Sequence, residues 1–80
     1  MSGRMDLAEI AENLAQAELH VASGERHIAQ QRAIIDELER AGQDATEARA
    51  LLAGFEQTQR LHIENRDRLR RQLEKASKGS

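Results

Sequence analysis

The 80-residue chain contains no cysteine, no proline, no tryptophan and no tyrosine, and its one large aromatic side chain is Phe55. Each absence excludes something. Without cysteine there is no disulfide framework and no thiolate metal site, and the chain is indifferent to redox compartment, which fits a cytoplasmic setting. Without proline, no residue interrupts a helix by removing an amide donor. With a single Phe, a conventional globular core is hard to assemble. A strong charge of one sign is also missing: the formal net charge of −2 does not imply electrostatic capture of nucleic acid. No apolar run approaches the roughly 18 residues of a membrane span. The opening MSGRMDLAEI lacks the apolar region of a signal peptide. What remains is Leu, Ile, Val and many alanines interleaved with Glu, Arg and Gln, the composition of long helices and coiled coils.

Those residues are ordered. Every seventh position from Leu7 is apolar, giving Leu7, Leu14, Val21, Ile28 and Ile35. The companion row is Ile10, Ala17, Gly24, Gln31 and Leu38. Together they form the narrow stripe of a helix lying along one partner. The second half carries a stripe at Ala48, Leu51, Leu52, Phe55, Thr58, Gln59, His62, Arg66, Leu69, Leu73 and Ala76, apolar at both ends and polar between. The rows break at Gly42, which suits the left-handed residue after a helix end, with Arg40 complementing the helix dipole. Asp44-Ala45-Thr46-Glu47 then has the form of a capping box. These signals predict an all-α antiparallel two-helix hairpin, coiled-coil-like, as one domain over residues 1–80. Its helices are expected at 5–41 and 45–76 and its turn at 42–44, with frayed MSGR and SKGS ends.

Folding at residues 42–43 places Ile35 near Leu51, Gln31 near Phe55, Gly24 near His62, Val21 near Asn65 and Ala17 near Leu69. The polar middles then coincide. His20, Gly24, His27, Gln31, Gln59, His62, Asn65 and Arg66 form a candidate polar layer, of the kind that fixes register and partner number at a cost in stability.

Two helices touching along one stripe bury little against the backbone entropy of ordering them. An alanine row at Ala8, Ala15, Ala22 and Ala29, with Ile34, Leu61 and Ile63, is the candidate second interface. Two hairpins would then pair as a homodimeric four-helix bundle. Alanine as a mere helix former is the competing explanation of that row. Charge is unevenly split as well: residues 1–41 hold eight acids and four arginines, residues 42–80 six acids and eight bases. The halves are therefore mildly complementary.

Catalytic and ligand motifs are sparse. His20 and His27 lie two helical turns apart, about 10 Å, too far to share a metal. His62 could approach either one. There is no His-Glu-x-x-His and no inward Glu-x-x-His pair, so metalloprotease and di-iron patterns fail. Gly24 and Gly54 are isolated within helical patterns, not parts of a phosphate loop, and no nucleophile elbow occurs. Arg66, Arg68, Arg70, Arg71, Lys75 and Lys78 alternate with Glu64, Asp67 and Glu74, with no ring to stack a base. That cluster reads as a solvated face, and the acidic first half opposes binding to a membrane surface.

The segments HVASGERHIAQQ, from His20, and FEQTQRLHIENRDRL, from Phe55, resemble a group of small alphaproteobacterial helical-hairpin proteins of no known activity. The resemblance covers His20 to Leu73 and runs through Gly24, His27, Gln31, Gly42, Asp44, Gln59, His62, Arg66 and Leu69. It departs at Ala45-Thr46, where that group often has Asp-Thr. It implies a hairpin and brings no activity, ligand or partner to carry over, so the function rests on the sparse motifs and the stripes above. The expectation is thus a non-enzymatic, self-associating hairpin with a structural or protein-interaction role and no cofactor. A regulatory adaptor docking a partner's helix is the first alternative. A histidine-bearing bundle that binds a metal or small ligand is the second.

Overall fold

The computed structural model describes residues 6–78, which form two α-helices and no strand. Helix α1 spans Leu7–Arg40 and helix α2 spans Thr46–Lys78. Composition explains their length, since Ala, Leu, Glu, Arg and Gln are strong helix formers and proline is absent. The helices pack against each other as an antiparallel hairpin about 60 Å long and 16 Å across.

At the start of α1, Asp6 serves as N-cap, its carboxylate accepting from the Glu9 amide at 2.8 Å. The expected start at residue 5 lies outside the described residues. At the other end the Gln43 amide donates to the Leu38 carbonyl at 2.8 Å and the Gly42 amide to Glu39 at 3.1 Å. That pair of bonds is a Schellman closure, which requires a left-handed residue. Gly42 supplies it with φ 70°.

The start of α2 differs from the expected capping box. Asp44 accepts from the Thr46 amide at 3.0 Å and from the Thr46 hydroxyl at 2.6 Å, two residues on and not three. Those two bonds hold the Asp44 carboxyl below its ordinary value. The helix also continues two residues beyond the expected end at 76, through Ser77 and Lys78.

The core follows the two α1 rows closely. Ile10, Ala17, Val21, Gln31 and Ile35 are buried, Leu14, Gly24, Ile28 and Leu38 half-buried, and only Leu7 is exposed. On α2, Ala48, Gln59 and Leu69 are buried. Leu51 and Thr58, expected in the stripe, are exposed. Both fall at one heptad position, at the edge of the seam. Ile35 clusters with Ala45 and Ala48, not Leu51, and Gly24 meets Gln59, not His62. These contacts sit two to three residues nearer the turn than equal spacing implies, and the ion pairs Glu18–Arg70, Arg32–Glu56 and Glu39–Arg49 sit about as far beyond it, so the level set by folding at 42–43 holds on average. The small side chains of Ala45 and Ala48 let α2 seat under Ile35.

Candidate functional site

The two flanks of the helix–helix seam are chemically different. On one, Glu18 pairs with Arg70 at 3.2 Å, Arg32 with Glu56 at 3.0 Å, and Glu39 with Arg49. These α1 residues are spaced by multiples of seven, so one heptad position carries a ladder of cross-helix ion pairs. All are substantially exposed and each contributes only about 0.2–1 kcal/mol, screened by salt. Their message is orientation: this flank faces water.

The opposite flank carries no such ladder. Its heptad positions are Asn13, His20, His27 and Ile34 on α1 and Leu51, Thr58, Asn65 and Gln72 on α2, with no acid, lysine or arginine among them. At its centre runs a groove of about 320 Å³, lined by His20, Ser23, Gly24 and His27 from α1 and by Phe55, Thr58, Gln59 and His62 from α2. Every ring in the sequence, three imidazoles and one phenyl, lines this groove. They stand in two cross-helix pairs. His20 and His62 have centroids 5.2 Å apart, and His27 and Phe55 6.0 Å apart.

Gly24 and Gln59 form its floor. Gln59 is 6% exposed, and its Nε2 donates to the Val21 carbonyl at 2.9 Å. Helix side chains lean toward the N-terminus, so a side chain at position 24 would cover that carbonyl. Glycine uncovers it. A Cβ at position 24 would stand 1.8 Å from Gln59 Oε1 and 2.7 Å from its Cδ. The same Oε1 is buried with no hydrogen-bond donor among the described residues. A second amide crosses the seam the other way: Gln31, 7% exposed, donates from Nε2 to the Ala48 carbonyl at 2.9 Å. Each helix therefore sends one buried glutamine to the other's backbone. A bond of this kind contributes about 0.5–1.5 kcal/mol net, and more is lost when one is left unmade.

The expected polar layer is thus brought together in part. His20, Gly24, His27, Gln59 and His62 share the groove. Gln31 lies apart, nearer the turn and within the packed seam. Asn65 lines an adjoining groove with His20, and its Oδ1 accepts from Arg68 at 2.6 Å. Arg66 turns to Asp67 on its own helix, at 3.1 Å. His20 and His27 are exposed and His62 half-buried, so the imidazoles form a wall and not an interior layer. Phe55 and Thr58, placed by the sequence in the α2 stripe, and Ser23 complete that wall, although none was among the polar-layer candidates.

The candidate interface residues also divide. Ala8, Ala15 and Ala29 are exposed and Ala22 half-buried, and the row lies beside the ion-paired flank, where Ile63 also falls at the position of Glu56 and Arg70. Ile34, 47% exposed, and Leu61, 62% exposed, lie toward the uncharged flank together with Leu51 at 56%. No helix among the described residues is long and apolar enough to cross a membrane. Comparison of the chain with protein-family models, with curated protein sequences and with solved structures finds no match.

Proposed function

We propose that the chain is a non-enzymatic, self-associating helical hairpin with a structural or protein-interaction role, a second copy covering the uncharged flank to complete a four-helix bundle. The asymmetry of the flanks carries this reading. A flank left in water gains nothing by excluding charge, yet all eight of its heptad positions are uncharged and Ile34 and Leu51 stand exposed upon it. The opposite flank holds the cross-helix ion pairs. Exposed apolar side chains on an uncharged surface suit an interaction site, and twofold closure is the commonest way for a chain to cover its own. The cysteine-free composition suits a cytoplasmic home for such an assembly.

Two leucines of equal exposure, Leu19 and Leu61 at 62%, supply the test, since Leu61 borders the uncharged flank and Leu19 points away from the seam. Light scattering should find wild type and Leu19→Glu as dimers and Leu61→Glu as a monomer. Dissociation by Ala15→Glu, with Leu61→Glu still dimeric, would transfer the interface to the alanine row. A wild-type monomer that enters a mixed complex with another helical protein would favour the adaptor role.

A further inference from the structure

The geometry points to a metal site between the helices: His20 and His62 form a two-imidazole clamp for a divalent transition ion of borderline softness. A Zn–N bond of 2.0–2.1 Å places the ion about 3.2 Å from a ring centroid, so two imidazoles sharing one tetrahedral ion stand with centroids about 5 Å apart. The His20 and His62 centroids are 5.2 Å apart, tilted by 44°. The spacing is that of two imidazoles on a common ion once a nitrogen of each ring is turned toward it. His62 is half-buried and held by the seam, whereas His20 is exposed and free to adjust at χ1 and χ2.

Only these two ligands come from the chain, for among the described residues no three His, Asp, Glu or Cys side chains gather as a cage. The remaining positions fall to water in the free hairpin, and to water or a side chain of the second copy where the proposed dimer covers this flank. Imidazole nitrogens without thiolate select Zn²⁺, Ni²⁺ and Cu²⁺ over Mg²⁺ and Ca²⁺. His27 is excluded from the clamp. It stands two turns from His20, about 10 Å along the axis, and faces Phe55 instead. Because one chain supplies both ligands, the site does not depend on self-association.

The experiment is calorimetric titration of the tag-free full chain with Zn²⁺ in a non-chelating buffer, beside His20→Ala, His62→Ala and His27→Ala. Saturable binding of one ion per chain is expected. His20→Ala and His62→Ala should each weaken it at least about tenfold, because loss of even an outer-shell partner costs that much. His27→Ala should leave it unchanged. Since His20 is exposed, His20→Ala retains its helical circular dichroism and decides the question even if His62→Ala unfolds. Absence of saturable binding, or an equal loss in His27→Ala and His20→Ala, overturns the site.

Discussion

Two glycines inside long helices should respond oppositely to the same substitution. At Gly54 an added Cβ meets no atom within 4 Å. Gly54→Ala therefore registers only the helix preference of alanine, about 1 kcal/mol stabilising. At Gly24 the Cβ would fall 1.8 Å from Gln59 Oε1. The amide must swing away and release the Val21 carbonyl, and an unmade buried hydrogen bond costs about 1–3 kcal/mol. Set against the same 1 kcal/mol gain, Gly24→Ala should be destabilising by about 0–2 kcal/mol. For a chain of this size 1 kcal/mol is about 4–8 °C in Tm, so the two variants should separate clearly in thermal melts. Melts must be compared at equal concentration, because association raises Tm by mass action. A double-mutant cycle isolates the cause. In a Gln59→Ala background Gly24→Ala should become stabilising, a coupling of about 1–3 kcal/mol. If Gly24→Ala stabilises as much as Gly54→Ala with Gln59 intact, the glutamine is not seated against the glycine and the reasoning fails.

Replacing Gln31 and Gln59 together by Leu should raise Tm, each site trading a hydrogen bond of about 0.5–1.5 kcal/mol for an apolar side chain of about 1.5–3 kcal/mol. Native mass spectrometry should show more than one assembly in that variant, because the polar pair that fixes register is gone. Gly42→Val should lose about 1–3 kcal/mol in chemical denaturation, since the φ of 70° strains a β-branched residue although the space is open. Asp44 titrates lower in the folded hairpin than its ordinary 3.8. Its contribution is therefore fully present above that pH and lost as pH falls through the lower folded value. Acid melts should show that loss in wild type and not in Asp44→Asn, which keeps a capping oxygen without the charge.

Much of the fold was legible because helices in contact repeat themselves. The row from Leu7 to Ile35 and its companion named the buried face of α1 almost residue by residue. Gly42 marked the turn because only a left-handed residue closes that helix end. Register was less legible. Counting outward from the turn gives the mean level, but side chains reach to either side of it: the ion pairs fall about three residues beyond equal spacing and the His20–His62 and His27–Phe55 pairs about three residues short of it. That spread brings Gln59 as well as His62 to the groove at Gly24. The flank asymmetry was present in the sequence all along. It emerges when charges are sorted by heptad position, Glu18, Glu25, Arg32 and Glu39 against Asn13, His20, His27 and Ile34. Sorting them by chain half conceals it. The direction in which Arg66 turns, toward Asp67 and away from the histidines, depends on local side-chain geometry that spacing does not encode.

Because the chain has no cysteine, a single engineered one can carry a nitroxide without a background label. Pulsed electron paramagnetic resonance on Thr58→Cys, at the middle of the uncharged flank, tests self-association and its face together. Facing helices pack 8–10 Å apart, so the account predicts strong coupling between labels on two copies, within about two helix spacings. A label at Arg26→Cys, on the outward side of α1, should couple weakly or not at all. Absence of coupling at Thr58 up to the highest protein concentration, or stronger coupling from Ala22→Cys on the alanine flank, would contradict it.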